Sequence, residues 1–165
     1  MVRRTWWISV LVVITFGSTL ATGCVDSTDD ESLLNGSELL QAVYDSPPDV
    51  VENLLAKGAD PNEGDAWGYT PLMSAVTRGD PRVVRLLLRA GADARRRDVD
   101  GWTVLMAAAV SKNHPSEALV QLLLDHGADP CASAVFGGQK VTALGLAKRS
   151  NGQLVEILAS ASAAC

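Results

Sequence analysis

An all-α stack of about four short helix-turn-helix repeats is the fold class that this 165-residue sequence predicts. Three observations carry that expectation. A seven-residue segment returns after 33 and then 36 residues; helix-start and helix-stop residues punctuate the copies; and 47% hydrophobic content with 5% aromatics suits a core of small helical side chains.

The recurring segment is Leu54-Leu55-Ala56-Lys57-Gly58-Ala59-Asp60, then Leu87-Leu88-Arg89-Ala90-Gly91-Ala92-Asp93, then Leu123-Leu124-Asp125-His126-Gly127-Ala128-Asp129. Ahead of the second copy stands Gly68-Tyr69-Thr70-Pro71-Leu72-Met73-Ser74-Ala75, echoed as Gly101-Trp102-Thr103-Val104-Leu105-Met106-Ala107-Ala108. Each element has a local reason. Thr70 is a good N-cap, and Pro71 suits the first helical position, where its missing N–H costs nothing. Leu72, Ala75 and Val76 form one apolar face at helical spacing, and Gly79-Asp80-Pro81 turns the chain. A second helix carries Val83, Val84, Leu86, Leu87 and Leu88 and stops at Gly91, a left-handed C-cap matched by Gly58 and Gly127. One such helix pair cannot bury its apolar face alone, so neighbours must stack.

The ends of the stack are atypical. The first repeat, Ser37 to Asn62, lacks the Thr-Pro-Leu stretch and is expected to cap the amino-terminal end, its helices split at Pro47-Pro48. The third carries three additional residues around Ser111 to Ser116, which lengthen its inter-helix turn. The fourth opens with a longer loop, Cys131 to Gly138. It keeps Thr142-Ala143-Leu144 and Leu154-Val155-Glu156-Ile157-Leu158 but lacks the closing Gly-Ala-Asp, as a carboxy-terminal cap would.

These motifs resemble the ankyrin repeat, over roughly Ser37 to Ala159. Departures from the family pattern are Met73 and Met106 in place of its histidine, and Val104 and Ala143 in place of Pro71 in the later repeats. Both are expected to lower stability. The expected organisation is a signal peptide at 1–23, a lipidated cysteine with an acidic spacer at 24–36, and an ankyrin-repeat domain at 37–165. Its repeats are expected at about 37–64, 65–97, 98–130 and 131–159, followed by a tail. The resemblance implies partner binding through loop tips and the concave face of the first helices. The tip positions hold Trp67, Tyr69 and Trp102, which either anchor a partner or cover the hairpin bases between repeats.

Residues 1–23 have a basic start, Arg3 and Arg4, and an apolar run from Trp6 to Phe16, the layout of a signal peptide. The run from Trp6 to Ala21 is 16 residues, short of the roughly 20 that span a bilayer. Leu20-Ala21-Thr22-Gly23-Cys24 resembles the lipobox of bacterial lipoproteins, with its leucine one place further out than usual. Two readings stand: lipidation of Cys24, or ordinary secretory cleavage that leaves Cys24 as a thiol. Lipidation would tether the chain stably, because two or more acyl chains anchor where one binds marginally. Asp26 to Gly36, rich in Asp, Glu and Ser, reads as a solvated spacer. Val25 after the cysteine resembles the pattern of outer-membrane lipoproteins, so the expected location is a bacterial membrane, facing the periplasm where the host has two. Without lipidation the expectation is a soluble periplasmic protein.

Removing residues 1–23 takes away two arginines and no acid, so the formal charge moves from −5 to −7, which argues against a nucleic-acid partner. With Cys24 lipidated, Cys131 and Cys165 remain as an even pair on the oxidising side of a membrane. In the family the second helix returns toward the base of the loops, which would bring Cys165 to Cys131. A disulfide and two unpaired thiols both remain open.

Catalytic and metal chemistry find little to use. His114 and His126 are the two histidines, and neither has ligand spacing; no CxxC, GxSxG, Walker or GxGxxG sequence is present. Asp60, Asp93 and Asp129 recur at the repeat period, which points to architecture. No enzyme activity, cofactor or metal is expected. Charge is uneven: Arg78, Arg82, Arg85, Arg89, Arg95, Arg96 and Arg97 stand against Asp80 and Asp93. They form either a solvated face or a surface for an acidic partner or anionic headgroups, with Arg78 and Arg96 placed by the resemblance on the concave or loop side. The expected function is a monomeric protein-binding module whose partner is an envelope protein. The alternatives are an immunity-type inhibitor of a toxic effector and a structural envelope component.

Overall fold

A computed structural model describes residues 38–113, 116–150, 152 and 154–163, which lie in one compact unit spanning Leu33–Cys165. The stretches expected to be a signal peptide and an acidic spacer, with Cys24, and likewise His114 and Cys165, lie outside the described residues.

Four helix pairs follow in order: α1 (Glu38–Asp45) and α2 (Pro48–Ala56), α3 (Pro71–Arg78) and α4 (Pro81–Arg89), α5 (Val104–Val110) and α6 (Glu117–Asp125), α7 (Ala143–Ser150) and α8 (Val155–Ser162). The first helices pack side by side, α1 on α3, α3 on α5 and α5 on α7, and α2, α4, α6 and α8 pack behind them as an outer layer. Sandwiched between neighbours, the inner helices are apolar almost all round: Pro71–Val76 of α3 and Val104–Ala109 of α5 are unbroken buried runs. Outer helices bury one stripe, Val83, Val84, Leu87 and Leu88 in α4 and Leu119, Val120 and Leu123 in α6. Met73 and Met106 are buried to 1% and 0% exposure, where an unbranched apolar side chain fills the gap between layers.

The caps explain the recurring motifs. Thr70 and Thr103 accept from the backbone N–H of Met73 and Met106, at 3.3 and 3.4 Å. Asp80 caps α4 through Arg82 and Val83, and Ser116 caps α6 through Leu119. At the other end, Gly58, Gly91 and Gly127 have φ of 95°, 91° and 84°. Their N–H groups donate to Leu55, Leu88 and Leu124, while Ala59, Ala92 and Ala128 donate to Leu54, Leu87 and Leu123. That is a Schellman closure repeated three times, and it is why Leu-Leu-x-x-Gly-Ala returns as a unit. The aspartate that follows makes the next turn: Asp60, Asp93 and Asp129 accept from the N–H two residues on. Their recurrence is architectural, as the period implies.

The all-α stack is as expected, and the longer loop expected at the fourth repeat takes a definite form. That loop is an antiparallel hairpin, β1 (Ser133–Phe136) with β2 (Gln139–Thr142), paired from Ser133 with Thr142 to Phe136 with Gln139. Gly137 and Gly138 form its turn at φ of 59° and 76°, and two consecutive positive φ values are what a two-residue turn matching strand twist requires.

Candidate partner-binding surface

Three finger-like loops stand along one edge of the stack. The first two are built alike. Asp65 accepts from the N–H of Trp67 and Tyr69 at 2.9 and 2.8 Å, and Asp98 accepts from Asp100 and Trp102 at 3.0 and 2.7 Å. Gly68 and Gly101 close the turns on the carbonyls of Asp65 and Asp98. One carboxylate thus satisfies two backbone donors and fixes where each aromatic side chain emerges.

The fingers also touch one another. The N–H of Val99 donates to the Trp67 carbonyl at 2.9 Å, and a Cβ on Gly68 would lie 3.2 Å from the Asp98 Cα. Gly101 faces β1, with the Ala134 Cα 3.7 Å from where its Cβ would stand. The Trp102 and Phe136 rings meet at a centroid distance of 5.8 Å, tilted by 55°.

Trp67 is 70% exposed, whereas Tyr69 and Trp102 are half-buried and pack against the core. The Tyr69 hydroxyl is 2.8 Å from Thr77 Oγ1. Burial raises the Tyr69 pKa above the ordinary value of 10.0, and the carboxylates of Asp65 and Asp98 raise it further against the Thr77 hydrogen bond. Sequence reasoning missed three side chains beside these: Val99, Val135 and Phe136, exposed at 64%, 64% and 67%. The Gly137-Gly138 turn was the available signal for the last two. Trp67, Val99 and Phe136, one exposed apolar side chain on each finger, make an apolar ridge with the Trp102 ring against Phe136, while Val135 points to the other face of the hairpin.

The arginines divide between structure and surface. The Arg78 guanidinium donates to the carbonyls of Val43 at 2.7 Å and Ser46 at 3.3 Å, satisfying groups at the end of α1 that its own helix leaves open. Thirty-three residues on, the Ser111 hydroxyl donates to the Thr77 carbonyl at 2.8 Å, helped by the Asn113 amide on Thr77 and Arg78. At the matching place in the last repeat, the Ser150 hydroxyl donates to the Ala109 carbonyl. One repeat position therefore closes the preceding inner helix three times over. Arg96 reaches back to the Asn62 carbonyl at 3.3 Å, Arg95 forward to Gly127 at 3.3 Å, and Arg97 pairs with Asp129 at 3.0 Å.

His126 places Nδ1 2.8 Å from the Leu122 carbonyl at the end of α6. Cys131 is disulfide-bonded. Among the described residues no group of three His, Cys, Asp or Glu side chains is placed to hold a metal ion, and no helix is long and apolar enough to cross a membrane. The geometry offers contact surface and hydrogen-bonded joints between repeats. A family model for ankyrin repeats, in three copies, matches residues 39–134, more than half of the chain. No curated protein matches it.

Proposed function

Because the chain belongs to the ankyrin-repeat family, we propose that it is a protein-binding module of a bacterial envelope that grips its partner with the finger ridge. The observation that carries this reading is the exposure of Trp67, Val99 and Phe136 at 70%, 64% and 67% on fingers that contact one another. Large aromatics that stay in water on a preorganised scaffold are what binding hot spots are made of, and desolvating them on a partner recovers the cost of leaving them exposed. Arg96, at the base of the ridge, supplies charge at the rim.

Affinity capture from an envelope extract, wild type against Trp67→Ala with Phe136→Ala, tests the ridge. The paired variant is expected to lose the specific partner while keeping its fold. Equal recovery of the same partner by both proteins would remove the ridge from the account. Self-association at micromolar concentration with no partner captured would replace it with a structural role.

Membrane attachment through Cys24 rests on the sequence: a basic start, an apolar run and small residues before the cysteine. Wild type is expected in the membrane fraction and Cys24→Ser in the soluble one; identical partition would refute lipidation. The bond at Cys131 belongs with Cys165, which would staple the last repeat for about 2–4 kcal/mol. Mass mapping of unreduced peptides tests that pairing against a bond to Cys24.

A further inference from the structure

The outer layer carries a second surface, independent of the fingers. Solvent-facing side chains on α2 include Asp49 and Glu52, those on α4 include Arg82, Arg85 and Arg89, and those on α6 include Glu117, Gln121 and Asp125. Successive outer helices are thus acidic, basic and acidic. The three arginines follow each other at three- and four-residue spacing, so they share one face, opposite the buried Val83, Val84, Leu87 and Leu88.

That face is poorly neutralised from within. Arg82 approaches Asp49 at 3.9 Å, with the two side chains 70% and 85% exposed, a pair that water and salt largely screen. Arg85 and Arg89 have no ion pair or hydrogen-bond partner among the described side chains. A positive strip in a chain of formal charge −5 is therefore available to a negative partner.

Its width says which kind. Packed helices lie roughly 8–10 Å apart, so the carboxylates of α2, which packs on α4, flank the arginines within about one Debye length, and α6 carries acids on the other side in the outer layer. A flat anionic surface such as a bilayer would press its charges onto Asp49, Glu52, Glu117 and Asp125 as well as the arginines. A single helix, about 10 Å across, laid along α4 meets the arginines with Asp49, beside Arg82, as the one carboxylate within 4 Å of them among the described residues. We propose that the outer face of α4 docks an acidic helix of a partner protein, whose carboxylates at matching three- and four-residue spacing face Arg82, Arg85 and Arg89.

The probes are a synthetic alanine-rich helical peptide bearing three glutamates at that spacing, its lysine counterpart, and phosphatidylglycerol vesicles, each titrated with the full chain. Wild type is expected to prefer the glutamate peptide, more strongly at low salt. Arg85→Glu with Arg89→Glu is expected to weaken that binding about tenfold and to gain the lysine peptide. Trp67→Ala should bind the glutamate peptide as wild type does, which separates this surface from the ridge. Both arginines are exposed, so an unchanged circular-dichroism melt verifies the fold. Equal affinity of wild type and the double variant for the glutamate peptide would overturn the proposal. So would a loss of vesicle binding in the double variant as large as its loss of peptide, which would assign the strip to a membrane.

Discussion

Asp98 holds its finger by accepting from two backbone donors, at 3.0 and 2.7 Å. Removing the carboxylate leaves both N–H groups to find water, at about 1–3 kcal/mol for hydrogen bonds to a charged acceptor. Asp98→Ala is expected to lower stability by that amount in urea denaturation and to loosen Trp102 against Phe136, read as a change in tryptophan fluorescence. Tyr69 makes a pH prediction with a definite sign. Its folded pKa lies above the unfolded value, so the unfolded chain loses its phenolic proton first as pH rises. Its contribution is whole below about pH 10 and declines above it. Between pH 9 and 11 the wild type should therefore lose more stability than Tyr69→Phe, and equal losses would contradict the assigned burial. The sequence placed Trp67, Tyr69 and Trp102 on the fingers, because the Gly-x-Thr motif that Trp67 precedes and that holds Tyr69 and Trp102 is local. It could not order their exposure, which depends on how neighbouring fingers pack, nor reveal that Arg78 spends its guanidinium on Val43 and Ser46.

The elements were legible where their ends are chemically marked. Thr70, Pro71, Gly91 and their counterparts announced caps, and the helices begin and stop there. Gly91 lets that claim be tested without side-chain interference, since a Cβ there would meet nothing within 4 Å and φ is +91°. Gly91→Ala should then cost only the left-handed backbone strain, roughly 1–2 kcal/mol, seen as a lower denaturation midpoint with an unchanged slope. A neutral result would mean that the Schellman closure contributes nothing at this joint. The hairpin was illegible for a physical reason. Four-residue stretches such as Ser133–Phe136 and Gln139–Thr142 are too short for periodicity to separate strand from helix, and only Gly137-Gly138 distinguishes a tight hairpin from a long loop.

At the scale of the stack, the main contacts between helices of different repeats run between adjacent repeats, so stability is approximately a sum of local units and the joints between them. The 33-residue period made this arrangement legible from the sequence. The joints were not, because Arg78, Ser111 and Ser150 differ in chemistry while sharing a position and a task. Arg78 closes the first joint, binding α1 to α3 through two carbonyls. Arg78→Ala leaves those carbonyls to solvent and should weaken the first repeat by about 1–3 kcal/mol. In a nearest-neighbour stack that loss stays local, so hydrogen exchange in α1 is expected to accelerate roughly tenfold or more while α7 keeps its protection. Ser150→Ala makes the mirror experiment at the other end, loosening α7 against α5 and sparing α1. Uniform acceleration across all four repeats in either variant would show that the stack unfolds as one cooperative body and that these side chains are not its joints.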